Sequence, residues 1–182
     1  MPAMKKALLL IICIATLPVV SFAESVNLLS PVSTSPSIND ISGTLYTSGH
    51  TIQFISNSGF GLGLTQLNWK GTSDNTTINT TLLSKKINFT AIELSYTLGY
   101  FTLGLGSPIS GSKQKNDRSG GKNIIYNYKV SGSTSFATLA LNIFDKGSFL
   151  LGYHLSSLKF SNSTNSESGT ISNMMLGFRI PI

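Results

Sequence analysis

Few residues of this chain have side chains suited to acid–base or nucleophilic chemistry. The sequence has two histidines, His50 and His154, and seven acids. It lacks a His-Glu-x-x-His metal motif, a paired-carboxylate motif and a phosphate-binding glycine loop. The run GFGLG at 59–63 has glycines at dinucleotide-loop spacing, but no helical pattern follows it. We therefore predict no metal and no cofactor, and examine His154 and Glu93 as candidates for a role.

His154 and Ser156 stand two residues apart, and Glu167 follows them after a polar stretch. This order resembles that of the lipid A 3-O-deacylases, which are small outer-membrane barrels. The resemblance implies that Ser156 is a nucleophile, His154 its base and Glu167 the group that orients the imidazole. Ser157 stands where that family has an asparagine. Because His154 and Ser156 alternate with Tyr153, we interpret His154 as a lumen histidine that bonds neighbouring hydroxyls. A deacylase-like enzyme is the alternative.

Glu93 stands on the polar face of an alternating run. An unpaired charge would be costly to bury there. We predict that Glu93 forms a structural ion pair in the lumen with Arg179, with Lys129 as the other candidate partner.

Basic residues cluster in the polar stretch 107–122, where Asp117 is the only acid: Lys113, Lys115, Arg118 and Lys122. A loop of this charge is suited to lipopolysaccharide phosphates or another anionic partner. The other interpretation is a solvated, mobile loop, which we favour.

The elements that position these residues are predicted to be β-strands. Apolar side chains alternate with small or polar ones in several runs, and a period of two indicates β-structure. Leu94 and Tyr96, for example, share one face, and Glu93 lies on the other. Near Leu67 and Trp69 the apolar phase shifts, which predicts a bulge or a strand end.

The pattern predicts eight strands. They are placed near 44–56, 59–70, 85–98, 100–106, 122–130, 134–144, 148–160 and 169–181. The fifth strand, near 122–130, could instead be a structured loop. In that alternative the eighth strand comes from the region before position 50. Short turns are predicted at 57–58, near Gly99 and at 145–147, and long loops at 71–84, 107–122 and 161–168. Short turns at one rim and long loops at the other are typical of outer-membrane barrels.

Residues 1–23 have the pattern of a secretory signal peptide. Lys5 and Lys6 precede an apolar run at 7–20, and small residues follow at the cleavage positions, so we predict cleavage after Ala23. The single cysteine lies in this run, which leaves the exported chain without thiol chemistry. Residues 24–42 are predicted to be a flexible segment, and residues 43–182 a barrel.

The composition points to a membrane rather than to water. Charged residues are 11% of the chain and hydrophobic residues 41%, whereas ordinary soluble proteins carry about 25% charged residues. Because no later apolar run is long enough for a spanning helix, a closed barrel is the remaining way to cross a bilayer. A soluble exported β-barrel binding protein is the alternative. The formal net charge of +6 is too small to indicate nucleic-acid binding.

Strand patterns with glycines and aromatic residues occur at four places: GFGLGL at 59–64, AIELSYTLG at 91–99, SFLLGYHL at 148–155 and MMLGFRI at 174–180. In these the chain resembles the small outer-membrane barrels of the OmpA and OmpX types. That superfamily ends in an assembly signal, whose final phenylalanine is Ile182 here. The resemblance implies a single antiparallel up-and-down transmembrane barrel.

The expected function is therefore that of a non-enzymatic barrel in the bacterial outer membrane. An envelope-structural role, a surface interaction or a minor permeability role would fit. The expected partners are outer-membrane lipids, including lipopolysaccharide phosphates, and the barrel-assembly machinery, but not nucleic acid.

Overall fold

A computed structural model describes residues 23–38, 45–73, 83–119, 122–144 and 147–182. These residues form eight strands: β1 (Ala23–Ile38), β2 (Leu45–Ser56), β3 (Phe60–Ser73), β4 (Leu83–Leu98), β5 (Phe101–Ser119), β6 (Lys122–Phe144), β7 (Gly147–Ser161) and β8 (Ser166–Pro181). They contain no helix that is long and apolar enough to cross a membrane. The predicted signal segment lies outside the described residues, except for its last residue, Ala23.

The eight strands form one closed barrel in chain order. Each strand pairs in antiparallel fashion with its neighbours in the sequence, and β1 pairs with β8 to close the sheet. The predicted fold class is therefore confirmed. Closure leaves no free sheet edge, which is the condition for a sheet to cross lipid.

The prediction of a flexible segment at 24–42 is wrong for residues 24–38, which belong to β1. Pairing with β8 runs from Ser25 opposite Pro181 to Ile38 opposite Gly169, with a register shift next to Pro31. The shift leaves Val32 without a partner in the register, directly after Pro31, which has no backbone N–H to donate. Residues 39–42 lie outside the described residues. The alternative prediction, which takes a strand from before position 50, is thus correct.

β6 is one continuous strand where two separate strands, near 122–130 and 134–144, are predicted from the sequence. Gly132 stands where the break is predicted, with a φ of 134°. A Cβ atom there would lie 2.1 Å from the carbonyl oxygen of Ser157 and 3.1 Å from the Cα atom of Leu158, both on β7. Only glycine lets the two strands continue side by side at this point.

The connections follow the prediction at one rim and differ from it at the other. Short turns join β2 to β3 and β4 to β5, as expected; residues 145–146 are outside the described part. The predicted loop at 107–122 is wrong, because β5 continues to Ser119 and β6 begins at Lys122. The predicted loop at 161–168 is a tight turn, in which the Asn162 side chain accepts hydrogen bonds from the backbone of Thr164 and Asn165.

The part of the barrel next to the short turns, up to the row of Thr65, Glu93 and Ser156, is called here the short-turn half. Its outward side chains are apolar, as predicted. Leu94 is 66% exposed and Phe178 is 51% exposed. The other predicted wall residues also point outward, alternating with buried neighbours: Tyr96, Leu139, Leu141, Leu151, Tyr153 and Leu176. Its inward side chains are largely small or polar.

Beyond that row lies the distal half, where both faces change character. Its inward side chains form an apolar cluster that fills the barrel: Ile38, Leu67, Trp69, Ile87, Phe89, Ala91, Tyr128, Val130, Leu158, Phe160 and Ile171. Its outward side chains are mostly polar, as at Asn68 and Lys70, although Tyr46, Ile109 and Ile125 are also exposed there. The phase shift at Leu67 is therefore neither a bulge nor a strand end, because β3 keeps an unbroken register with both neighbours.

Candidate functional site

Glu93 lies at the centre of the barrel with no exposed surface. It is in the middle of β4, opposite Gly63 on β3 and Gly106 on β5. A Cβ atom on Gly106 would lie 2.6 Å from the Glu93 side chain and 2.6 Å from Thr134 Oγ1. The glycine thus leaves the space into which the carboxylate and its partners fold.

Three side chains from other strands bind the Glu93 carboxylate. Thr65 Oγ1 donates to Oε2 at 2.7 Å, and Thr134 Oγ1 donates to Oε1 at 3.2 Å. His154 Nε2 lies 2.7 Å from the same Oε1. Thr51 adds an outer link, because its hydroxyl lies 2.8 Å from that of Thr65. The network joins β2, β3, β4, β6 and β7 across the lumen, so the buried charge has the partners that its desolvation demands.

The imidazole of His154 connects Glu93 to Ser156. Because Nε2 faces a carboxylate, that nitrogen carries a proton and donates it. Ser156 Oγ lies 3.3 Å from Nδ1, and the Phe136 ring is parallel to the imidazole at 6.4 Å between centroids. His154 is 2% exposed and Ser156 has no exposed surface. Both point into the lumen, as the alternation predicts.

Glu167 is not the acid beside His154. It bonds the ammonium group of Lys113 in the distal half. The serine–histidine–acid chain of the structure is Ser156, His154 and Glu93, and no pattern in the sequence joins these three. β4 and β7 are not sheet neighbours, so alternation along single strands carried no signal of this contact.

The predicted ion pair between Glu93 and Arg179 is replaced by two separate sets of contacts. Arg179 Nε donates to Asn27 Oδ1 at 2.9 Å, and Nη2 donates to Thr102 Oγ1 at 3.0 Å. Arg179 lies opposite Asn27 on β1 near the short-turn rim, whereas Glu93 lies at mid-height. Lys129 points outward and is exposed, so it is not the partner either.

The predicted basic cluster does not form one surface. Lys113 is 1% exposed and points inward, where it pairs with Glu167. Its ammonium group lies 4.6 Å from the centre of the Phe160 ring and 5.5 Å from that of Tyr128. Lys115 is partly buried on the same side of β5. The side chains of Arg118 and Lys122 are outside the described part of the chain.

Two features limit the chemistry of this interior. Among the described residues, no group of three or more His, Cys, Asp or Glu side chains is placed to hold a metal ion. The Ser156, His154 and Glu93 chain has the connections of a nucleophile, a base and an orienting acid, yet it is closed to solvent on every side. The arrangement is suited to holding strands together.

The fold is that of the small eight-stranded barrels of bacterial outer membranes, as the sequence resemblance predicts. Ail, the attachment invasion locus protein of Yersinia pestis, is 12% identical with a TM-score of 0.52, and the match covers 86% of this chain and 95% of that one. Neisserial surface protein A is 9% identical with a TM-score of 0.49, covering 87% and 95%. The N-terminal barrel of OprF from Pseudomonas aeruginosa is 8% identical with a TM-score of 0.46, covering 87% and 98%. No family model and no curated protein matches the chain.

Proposed function

We propose that this protein is a closed, non-enzymatic barrel of the bacterial outer membrane with an envelope-structural or surface-interaction role. The observation that carries the proposal is a lumen filled by side chains from mid-height to the distal end. The Glu93 network occupies mid-height, and the apolar cluster around Trp69, Phe89 and Phe160 fills the distal half. An eight-stranded barrel has just the width that its own side chains fill. A minor permeability role is therefore disfavoured.

The short-turn end is open only as a shallow vestibule. A cavity of about 470 Å³ lies there, and its walls include Arg179, Ser25 and Thr97. Arg179 is tied to both sides of the wall at its inner end, through Asn27 and Thr102. Solvent can therefore enter the barrel at this rim but has no route across it.

The outward apolar band supports the location and the lipid partners. Leu94, Leu105 and Phe178 are each more than half exposed, and such a band is what hydrocarbon solvates in outer-membrane barrels. Such barrels reach the membrane through the assembly machinery, and the final strand keeps Phe178 and Ile180 on the lipid side for that encounter.

Conductance and fractionation test the proposal together. The exported protein should sediment with outer membranes and resist carbonate extraction, and in a planar bilayer it should give no conductance steps. A Glu93→Ala, Trp69→Ala, Phe160→Ala triple variant, which opens both the mid-height network and the distal cluster, is the control for a conducting form. Stepwise conductance of the wild type would overturn the closed lumen, and recovery in the periplasmic fraction would overturn the location.

A deacylase-like enzyme is the second candidate, and the Ser156–His154–Glu93 chain is the observation that favours it. Against it stands the burial of all three groups, with the Phe136 ring parallel to the imidazole of His154, which leaves no room for an acylated substrate. Mass spectrometry of lipid A from cells with and without the protein decides between the two. We expect identical acylation, and loss of one acyl chain only in cells with the protein would establish the enzyme instead.

A further inference from the structure

Four lysines in the distal half point away from the barrel and are exposed: Lys70, Lys86, Lys129 and Lys159. Their direction follows from the strand alternation, since each stands next to a residue of the apolar cluster, such as Trp69 beside Lys70 and Phe160 beside Lys159. They are called here the lysine girdle. None of them belongs to the basic cluster that the sequence predicts.

Lys70 stands directly opposite Lys86 across the pair of β3 and β4. Like charges in this position destabilise a sheet. The carboxylates whose side chains the structure describes are engaged elsewhere or distant: Glu93 in the lumen, Glu167 with Lys113, and Glu24 at the short-turn rim. An anion between the two ammonium groups would convert the repulsion into two attractions.

Lys129 and Lys159 are diagonal neighbours on β6 and β7, because Lys129 lies opposite Ser161 and Lys159 opposite Ser131. Such positions are about 7–8 Å apart, within reach of long side chains. Lys129 also lines an outward groove of about 710 Å³, with Ser112, Gln114, Asn127, Ser161 and Asn162 among its walls. Hydroxyl and amide groups suit the hydroxyls of a sugar, and an ammonium group suits a phosphate.

The height of the girdle fits a lipid head group. On β7, Lys159 is four residues from Leu155, the nearest outward apolar side chain, or about 13 Å along the strand. The Lys159 ammonium group therefore lies just beyond the apolar band, and Lys70 and Lys86 are six residues beyond Leu64 and Ile92 on their own strands. We propose that the lysine girdle and the adjoining groove bind the phosphorylated sugar head group of an outer-leaflet lipid. This rests on the proposed outer-membrane location and adds the site and the chemistry of the partner.

The test uses the exported protein, purified from cells that express the full chain, and native mass spectrometry in detergent. The probes are bisphosphorylated lipid A, the same lipid without its phosphates, and phosphatidylglycerol. The wild type should bind bisphosphorylated lipid A at least tenfold more tightly than either other probe. Each Lys→Gln change in the girdle should weaken that binding about fivefold, the usual effect of one basic residue at an anionic lipid surface.

Lys146→Gln is the matched control. It removes the same charge at a sequence position between Phe144, where β6 ends, and Gly147, where β7 begins, and it should leave binding unchanged. Heat-modifiable migration on an unboiled gel, after insertion into phosphatidylcholine vesicles, checks that every variant is folded. If the wild type does not insert, the proposed function fails. If it inserts but binds dephosphorylated lipid A or phosphatidylglycerol equally well, the head-group site is wrong while the barrel assignment stands.

Discussion

In the short-turn half of the barrel most outward side chains are apolar and most inward ones are small or polar, whereas in the distal half this order is largely reversed. β3 shows the change within one continuous strand. Leu62 and Leu64 point outward before it, and Leu67 and Trp69 point inward after it. The backbone does not register the change, since the ladder to β2 and β4 runs through without a shift.

The difference shows that the alternation of polar and apolar side chains along a strand depends on the solvent around the barrel as well as on the fold. Hydrocarbon outside the short-turn half offers no hydrophobic gain for burying apolar groups, so hydrogen bonds such as those of Glu93 hold its interior. Outside the distal half lie head groups and water. There the apolar cluster is stabilised by the hydrophobic effect, as in a soluble protein.

Trp69→Ala should give the largest loss of stability, because it empties the centre of the distal cluster. Trp69 has no exposed surface, packs against Phe89 at 5.1 Å between ring centroids and donates to Asn173. A loss of about 3–5 kcal/mol is expected. Urea unfolding in vesicles, followed by circular dichroism, measures it. Leu64→Ala on the outward face of the same strand is the control, and an equal loss there would contradict the reversal of faces.

Leu94→Arg tests the outward face of the short-turn half. Leu94 lies within the apolar run of β4 and is 66% exposed, so the charge would enter hydrocarbon at a cost of about 2–4 kcal/mol. Leu141 lies nearer the short-turn rim, so Leu141→Arg should cost less. Thr90→Arg is the control in the distal half, where Gln66 and Ser110 are its polar neighbours. Equal tolerance of arginine at positions 94 and 90 would refute the boundary between the halves.

Glu93→Ala tests the inward face of the short-turn half. The change leaves His154, Thr65 and Thr134 without their shared acceptor, which should cost about 1–3 kcal/mol. Glu93→Gln keeps an oxygen that accepts hydrogen bonds and should retain a large part of the stability. The same urea titration measures both variants. If the two lose the same amount, the hydrogen bonds of the carboxylate do not hold the lumen.

The sequence predicts the faces of β4, β7 and β8 correctly, because alternation with lipid-facing residues such as Tyr153 and Phe178 is a strong local signal. It fails at β1, where serines face outward and Pro31 and Pro36 interrupt the pattern of a paired strand. The prediction also fails at Leu67. A change in the solvent outside the barrel shifts the apolar phase of the sequence in the same way as a β-bulge would. The failure at β1 thus has its cause in the composition of the strand, and the failure at Leu67 has its cause in the surroundings of the barrel.

The candidate site is predicted in part. The inward direction of His154 and Ser156 follows from their phase on β7. The identity of the acid that contacts His154 does not follow from that phase. Glu93 reaches His154 across the lumen, and only the closed barrel brings β4 opposite β7. The same holds for Lys113, whose contact with Glu167 depends on the position of β8.

Ser156→Ala should have the smallest effect of all these changes, both on stability and on biological role. Its hydroxyl makes one long hydrogen bond, 3.3 Å to His154 Nδ1, and that nitrogen is held in place by the stronger contact of Nε2 with Glu93. A loss below about 1 kcal/mol is expected, well under that of Glu93→Ala. If Ser156 were a nucleophile, Ser156→Ala would still cost little stability, but cells that carry the variant would behave like the deletion strain. Complementation of a deletion strain, with lipid A mass spectra of the same cells, separates the two cases: full complementation and unchanged acylation are expected, because Ser156 is enclosed between the Glu93 network and the apolar cluster.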